Sequence, residues 1–198
     1  MSRVRQPTRE HDLSVYGCGM SMAERLPDPI AADRVVLTAL RVCDAEEMVA
    51  VLSSPELYAF IGGEPPTLAV LRSQYSNMVL GRSPDGEQEW LNWIVRLKGG
   101  GRAAVGTVQA TVMEDGGRAE VAWIIGAERQ GHGYGSEAAA AMVQALIEAG
   151  VRWVTAHIHP DHAASGRVAR ACHLTPTEEF HDGERRWEWR RPTSPSSV

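Results

Sequence analysis

The chain has little of three features that mark particular classes of protein: cysteine, excess positive charge and long apolar runs. Its three cysteines among 198 residues are too few and too scattered for a disulfide framework or a closed thiolate metal site, so we expect reduced thiols. Its 20 Lys and Arg face 25 Asp and Glu, and the net charge of −5 excludes the positive field on which non-specific nucleic-acid binding depends. We therefore expect an acidic globular protein that has no nucleic-acid partner.

No apolar run approaches the roughly 20 residues that cross a bilayer. Residues 1–10 are polar and charged, without the apolar core of a secretory signal, so we expect no membrane partner and a cytoplasmic location. The length fits one domain. The first thirty residues mix Arg, Pro, Gly and Ser without periodicity, and the tail is rich in Ser and Pro. We therefore expect a flexible leader over 1–30, a folded domain over 31–191 and a flexible tail over 192–198.

The first half of the expected domain begins with a strand and continues with helices. Residues 34–40 are β-branched and apolar enough for a strand. Asp44 and Glu47 have the spacing of a capping box and predict the start of a short helix. Thr67 is predicted to begin a second helix, whose apolar residues recur at three- and four-residue spacing.

The second half changes to the period of strands. Three strand-like runs joined by short glycine-rich turns predict an antiparallel meander over 90–97, 103–113 and 119–125. A helix over 134–149, ended by Gly150, then leads to an apolar strand over 151–158, which together make one crossover unit. A short helix over 165–173 and a hairpin around Asp182 and Gly183 complete the domain.

A glycine-rich loop at 126–136 lies between the last meander strand and the alanine-rich helix. In that position its free backbone N–H groups and the helix dipole point at one spot, and glycines remove side chains that would keep an anion away. A phosphate or pyrophosphate is the natural ligand. The loop lacks the Gly-Lys-Ser/Thr of a Walker loop and the spacing of a dinucleotide fingerprint. The alternative is a turn whose glycines only let the helix and strand pack closely.

With Gln130, Gly133 and Gly135, this loop resembles the Gln/Arg-x-x-Gly-x-Gly/Ala acetyl-CoA loop of the GCN5-related N-acetyltransferase (GNAT) superfamily. The resemblance covers residues 30–189 and is greatest to the branch that contains the ribosomal-protein N-terminal acetyltransferases. The further segments that carry the branch resemblance are 34–37, 55–58, 62–63, 119–123 and 159–165.

The resemblance implies an α+β fold of the GNAT type. Its mixed, mostly antiparallel, twisted sheet would have about seven strands, flanked by about four helices and splayed at the central strands. It also implies direct transfer of an acetyl group from acetyl-CoA, the cosubstrate, to a primary amine in a ternary complex. The implied cofactor-binding residues are Trp123, Ile124 and Ile125 on the strand, Arg129, Gln130, Gly131, His132, Gly133, Tyr134, Gly135 and Ser136 in the loop, and His162.

Two residues are candidates for catalysis. An ammonium must lose a proton before it attacks, and Glu120 on the strand beside the cofactor is the candidate base; the alternative is a strand carboxylate that pairs with an arginine. The family's usual tyrosine, which protonates the leaving thiolate, is Ala169 here, and its usual asparagine is His162. Ser165 lies where the ribosomal branch often has a serine, so the resemblance makes it the candidate acid, unless it only caps the following helix.

Two other interpretations of the chain stay open. His157 and His159 lie on one face of a strand, close to Asp161 and His162, as a metal site would require; since no further ligand can be named, we expect no metal. Alternatively, the altered family positions would suit a non-catalytic module that binds acyl-CoA.

The acceptor amine is the least determined part of the prediction. The resemblance places acceptor recognition in the first two helices, their connection and the final hairpin, and we expect Tyr58, Glu64 and Trp90 to bind the substrate. An acidic bias in this zone favours a cationic amine, and a peptide α-amine, a polyamine and an aminoglycoside all satisfy it. We call its acidic residues the acidic zone: Glu56, Glu64, Asp85, Glu87 and Glu89. The branch resemblance favours the peptide N-terminus, and the sequence leaves open whether the chain forms a homodimer.

Overall fold

The computed structural model describes residues 20–113 and 116–192. The helices of this part are α1 (Met22–Arg25), α2 (Ala45–Val51), α3 (Leu68–Met78), α4 (Tyr134–Glu148) and α5 (Ala163–Ala171). Its strands are β1 (Ile30–Ala31), β2 (Val35–Ala39), β3 (Gln88–Leu97), β4 (Ala104–Met113), β5 (Arg118–Ile125), β6 (Trp153–Ile158), β7 (Thr175–His181) and β8 (Glu184–Arg190). Among the described helices the longest, α4, has 15 residues, and none is long and apolar enough to cross a membrane.

The strands form one mixed sheet in the order β1-β2-β3-β4-β5-β6-β8-β7. All neighbouring strands are antiparallel except β5 and β6, which are parallel and joined through α4. The predicted meander, crossover unit and final hairpin are therefore confirmed, as is the mostly antiparallel GNAT-type sheet. The short α1 and the two-residue β1 bring the numbers of helices and strands above the expected four and seven.

The sheet is splayed between its two parallel strands, as expected. The registered pairs of β5 with β6 are Arg118 with Trp153, Ala119 with Val154 and Glu120 with Thr155. Beyond the last pair, β5 continues to Ile125 along β4, whereas β6 continues to Ile158 along β8. We call the divergence after Glu120 and Thr155 the fork, and the space between residues 121–125 and 156–158 the slot.

Helices cover the two faces of the sheet unequally. α4 and α5 pack across one face and form the larger core, with Met142 and Leu146 fully buried. On the other face, α2 and α3 form a smaller core that reaches Ile94 of β3 and Ile124 of β5. Side chains alternate between faces along a strand, so residues beyond this second core face solvent even on central strands. Gln109, Glu120 and Ala122 are exposed there, and this open face adjoins the fork.

One of the two predicted helix caps is present in the structure, and the other is not. Thr67 caps α3 as predicted, because its hydroxyl accepts a hydrogen bond from the Val70 N–H at 3.3 Å. The capping box of Asp44 and Glu47 is wrong: the Asp44 carboxylate accepts from the Arg41 N–H and from Arg96, each at 2.8 Å.

Glu47 also binds the Arg96 guanidinium. It accepts from Arg96 at 2.6 Å and from the Ala104 N–H at 2.7 Å, so it links α2 to β3 and β4. Burial raises the pKa of Glu47, but the bonds from Ala104 and Arg96, with the charge of Arg96, lower it overall. A strand arginine brought under α2 therefore takes both carboxylates away from the helix N-terminus.

The folded part begins earlier than the boundary expected at residue 31. Residues 1–19 of the expected leader and 193–198 of the expected tail lie outside the described residues. Residues 20–30 lie against the sheet: Met22 is 2% exposed, and its N–H donates to Glu89 at 2.8 Å. Met22 and Ile30 are both buried in the core, so the domain includes this segment, which local composition did not show.

We expect Arg96→Met to destabilise the protein by about 3 kcal/mol, because it leaves the buried Asp44 carboxylate without its main partner. Glu47→Gln should cost stability at neutral pH that disappears in acid. A carboxylate with a lowered pKa stabilises the fold above its unfolded pKa, and this stability is lost as the pH falls through the folded pKa. Urea unfolding midpoints between about pH 7 and about pH 3 measure both effects.

Glu46→Gln is the matched control. Glu46 is adjacent in sequence but pairs with Arg72 on the surface, so its loss should cost less than about 1 kcal/mol. Equal stability of wild type and Glu47→Gln at neutral pH would contradict the role given to this cluster.

Candidate active site

The loop before α4 presents a row of unused hydrogen-bond donors. Gly131 and Gly133 have φ angles of 78° and 80°, in the left-handed region that favours glycine, and Gly133 is the N-cap of α4. Within the described residues, no acceptor bonds to the backbone N–H groups of residues 131–136, which we call the amide loop. Unpaired N–H groups at a helix N-terminus bind anions, so the loop fits the pyrophosphate of acetyl-CoA.

Arg34 at the start of β2 fixes the amide loop in place. Its Nε donates to Glu137 in the first turn of α4 at 2.8 Å, and its Nη1 donates to the His132 carbonyl at 3.0 Å. The Glu137 carboxylate also accepts from the N–H groups of Arg34 and Val35. The Arg34 guanidinium lies 5.1 Å from the Tyr134 ring centre. Arg34 and Glu137 were not among the predicted site residues, since no local pattern pairs residues about a hundred positions apart.

The glycines of the loop have different roles. A Cβ on Gly131 would meet open space, and one on Gly133 would lie 3.3 Å from the Arg34 guanidinium. A Cβ on Gly135 would lie 3.1 Å from Ile125, inside the fold. The expectation that the missing Cβ of Gly135 clears space for an anion is therefore wrong. Its absence lets α4 pack against β5.

The remaining predicted loop residues surround this donor row. Gln130 donates from its side chain to the Ile125 carbonyl at 3.0 Å, so that carbonyl is already bonded. The His132 and Tyr134 rings are stacked at 5.6 Å. Arg129 is exposed, and Ser136 is partly buried in the first turn of α4.

Trp123 and Ser165 meet on the α5 side of the slot. The indole Nε1 of Trp123 donates to the Ser165 hydroxyl oxygen at 3.3 Å. α5 begins at Ala163, two residues before Ser165, and His162 is its N-cap residue. The alternative in which Ser165 caps a helix at 166–173 is therefore wrong. Ile124 lies on the opposite face, against the α2 and α3 core.

His162 lies at the junction of β6 and α5 under an aromatic ring from the opposite side. Phe60, which follows a 3₁₀ turn at Pro55–Tyr58, stacks on His162 at 4.4 Å and lies 5.3 Å from His159. Burial, His159 and Arg167 lower the pKa of His162, so its ring is neutral at neutral pH. Phe60 was not among the predicted site residues, because only the fold brings its loop to this junction.

Glu120 and His157 form a pair at the fork. The His157 Nδ1 lies 3.3 Å from Glu120 Oε1, with side-chain exposures of 22% and 51%. A carboxylate is an acceptor, so Nδ1 carries the proton and Nε2 is left with a free lone pair. The alternative in which Glu120 pairs with an arginine is not the observed arrangement. The sequence showed each residue, but not that β5 and β6 place them opposite one another.

The histidines of the considered metal site have separate partners. His157 faces Glu120, whereas His159 accepts a hydrogen bond from the Asp161 N–H at 3.2 Å. Within residues 20–113 and 116–192, no group of three or more His, Cys, Asp or Glu side chains has metal-binding geometry.

The predicted substrate residues do not form one cluster. The Tyr58 hydroxyl donates to the Leu52 carbonyl at 3.0 Å, and burial raises its pKa. Trp90 donates to Gln88 at 3.3 Å and lines a separate cavity of about 270 Å³ between α3 and the segment before β1. Glu64 is exposed in the loop before α3.

Two carboxylates of the acidic zone have structural roles. Glu89 holds the Met22 N–H, and Asp85 accepts hydrogen bonds from Ser83 and the Glu87 N–H within a turn. They are therefore less available for a cationic substrate than their sequence positions suggested.

A family model described as the acetyltransferase (GNAT) domain matches residues 34–175, more than two thirds of the chain. No curated protein sequence matches. A GNAT-family acetyltransferase from Bacillus anthracis superposes with a TM-score of 0.67 at 19% identity, over 82% of this chain and 98% of that one. RimL, a ribosomal L7/L12 α-N-protein acetyltransferase solved in complex with coenzyme A, gives 0.70 at 16% identity, over 83% and 98%.

The aminoglycoside acetyltransferase AAC(6')-Ib in complex with coenzyme A gives a TM-score of 0.64 at 18% identity, over 79% of this chain and 95% of that one. At such identities these structures show a shared fold. The family match, the amide loop before α4 and the fork between β5 and β6 lead to one conclusion. The chain belongs to the GNAT family of acetyltransferases, which take their acetyl group from acetyl-CoA.

Proposed function

We propose that the protein transfers the acetyl group of acetyl-CoA to a primary amine, the α-amine at the N-terminus of a peptide, by direct attack in a ternary complex. The observation that carries this proposal is the Glu120 and His157 pair at the fork. The pair would supply a proton acceptor beside the slot, on the open face from which an amine could approach.

Acetyl-CoA, when bound, supplies a thioester whose carbonyl carbon accepts the amine. The amide loop would hold the pyrophosphate, with Arg34 keeping residues 132–137 in position. The unpaired edge of β5 would bind the amide groups of the pantetheine arm, and His162 under Phe60 would close the slot from the β6 side.

His157 would take the proton that an acceptor ammonium must lose. Its Nε2 accepts the proton, and the imidazolium that forms is stabilised by the Glu120 carboxylate at Nδ1. Glu120, predicted as the base itself, would thus orient and stabilise the group that does the work. This is the arrangement of a base held in one tautomer by a carboxylate.

Ser165 would return a proton to the leaving thiolate. Its oxygen accepts from Trp123, so the hydroxyl is held while its own hydrogen stays available to donate. Ala169, where relatives carry a tyrosine, is fully buried in the core, so no phenol is available at this position. Burial also raises the pKa of Cys172 to about 12, so this nearby thiol is inert.

Two further candidates have specific support. The exposed Glu56 and Glu64 near α2 and α3 would favour a small polycation such as a polyamine or aminoglycoside. A non-catalytic acyl-CoA-binding module would suit Ala169. We favour catalysis over the module because the latter has no need for the Glu120 and His157 pair.

A screen with free-thiol release as the readout tests the proposal. We expect acetyl-CoA turnover with N-terminal peptides and, by mass spectrometry, a single acetyl group on the α-amine. Turnover with aminoglycosides or polyamines alone would contradict the peptide acceptor. Tight acetyl-CoA binding without turnover on any amine would favour the module.

We expect His157→Ala to lower kcat/KM by about a hundredfold or more, the usual contribution of a general base. Glu120→Gln should have a smaller effect, since an amide oxygen can still orient Nδ1. Steady-state kinetics of the two variants measure both effects.

His181→Gln is the matched control. The His181 ring lies 5.9 Å from that of His157, so its loss removes a neighbouring imidazole without touching Glu120. A kcat/KM of His157→Ala equal to that of wild type would exclude His157 as the base.

The glycines of the amide loop allow binding to be separated from packing. We expect Gly133→Ala to weaken acetyl-CoA binding about tenfold or more, because the positive φ becomes strained and the Cβ approaches Arg34. Gly135→Ala should chiefly lower the melting temperature, since its Cβ meets Ile125. Calorimetric binding and thermal melts of both variants measure the two effects.

Gly131→Ala serves as the comparison with equal φ strain but open space around the Cβ. If all three variants bind acetyl-CoA as wild type does, the loop does not hold the cofactor.

A further inference from the structure

The open face of the sheet changes from carboxylate to arginine side chains within two residues of the fork. Glu120, Thr155 and Glu188 occupy adjacent register positions on β5, β6 and β8. Two residues earlier on β5 and β6, the corresponding positions hold Arg118 and Trp153. Because two residues span roughly 7 Å along a strand, a row with carboxylates lies about that far from a row with arginine.

Trp153 is the centre of the second row. Its ring centre lies 4.0 Å from the guanidinium carbon of Arg190, 5.1 Å from that of Arg118 and 5.6 Å from that of Arg186. Its Nε1 donates to Glu188 at 3.1 Å. Stacking on an indole fixes a guanidinium while leaving its N–H edges free for other acceptors.

The arginines differ in whether they already have an anionic partner. Arg186 and Arg190 pair with Glu188, and Arg186 also pairs with Glu179. Arg118 and Arg152 are exposed, and no acceptor bonds to either guanidinium in the part of the chain that the structure describes. Each of the two thus presents five N–H donors to the surface.

These two side chains line a groove of about 620 Å³ at the start of β5 and β6. The other lining residues are Glu87, Gln88, Met113, Gly117 and Trp153. Among the lining residues that the structure describes, two guanidinium groups face one carboxylate, so this part of the groove is positive although the whole chain has a net charge of −5. We call it the arginine groove.

We propose that the arginine groove binds an anionic group of the acceptor, a carboxylate or a phosphate, while the acceptor's amine lies at His157. This inference rests on the proposed function and specifies its substrate: a peptide N-terminus followed within a few residues by an acidic side chain. An extended peptide rises about 3.3 Å per residue, so its second to fourth residues reach the groove from the fork. Polycationic amines are disfavoured there, since Arg118 and Arg152 repel them.

The test compares short peptides that share one N-terminal residue and carry glutamate, glutamine or lysine at the second to fourth positions. We expect kcat/KM to follow the order glutamate, glutamine, lysine, chiefly through KM. A phosphoserine peptide tells whether phosphate or carboxylate is preferred. Equal kcat/KM for the glutamate and glutamine peptides would overturn the proposal.

The double variant Arg118→Gln, Arg152→Gln should lose the preference for glutamate over glutamine, by about tenfold for each arginine removed, as for a charge-assisted hydrogen bond. Charge reversal in Arg118→Glu, Arg152→Glu should move the preference to the lysine peptide. Arg170→Gln is the matched control, because Arg170 stacks on Trp187 at the same 5.1 Å but on the α5 side of the sheet. A preference that survives the double variant would overturn the proposal.

Peptide binding in the presence of coenzyme A, measured by calorimetry, separates this inference from the proposed function. If the glutamate peptide binds in a way that depends on Arg118 and Arg152 but is not acetylated, the result would support anion binding in the arginine groove and contradict the proposed acetylation of peptides. Acetylation of all peptides without any dependence on these arginines would support the peptide acetyltransferase and overturn the role of the arginine groove. Absence of both peptide binding and acetylation would overturn the two together.

Discussion

The parallel pairing of β5 with β6 stops after Glu120 and Thr155, and the rest of the site depends on this interruption. An unpaired strand edge needs a hydrogen-bonding partner, and here that edge faces the slot. β5 is held on its other side by close approach to β4, where a Cβ on Gly106 would collide with the Ile124 carbonyl. The same strand leads into the amide loop, so one divergence places the slot, the donor row and the Glu120 and His157 pair together.

Local patterns in the sequence were sufficient for the elements that depend on neighbours in the chain. The meander, the crossover through α4 and the Thr67 cap follow from periodicity and cap chemistry, which act over a few residues. The capping box at Asp44 failed because Arg96 comes from a strand 52 residues away. The pairing of Glu120 with His157 and the stacking of Phe60 on His162 could not be predicted for the same reason: each joins segments that meet only in the fold.

The local arrangement of charged side chains, over a few ångströms, says more about the acceptor of this protein than the net charge of the chain does. The acidic bias of the zone expected to bind the acceptor favoured a cationic amine, yet carboxylates of that zone are used by the fold, as Glu89 is by the Met22 N–H. On the open face, by contrast, acidic and basic rows succeed one another along the strands. A substrate with a positive end and a negative end is matched by such an arrangement better than one of uniform charge, because each end meets its own partner.

The bracket formed by Arg34 and Glu137 has a thermodynamic consequence for cofactor binding. The glycine-rich loop is already held by bonds from β2, so its conformational entropy is lost when the chain folds rather than when the ligand arrives. A preformed site therefore binds without the ordering cost that a flexible glycine loop would add to the binding free energy. Under the proposed function, affinity for the pyrophosphate would in this sense be set about a hundred residues away in the chain, at β2.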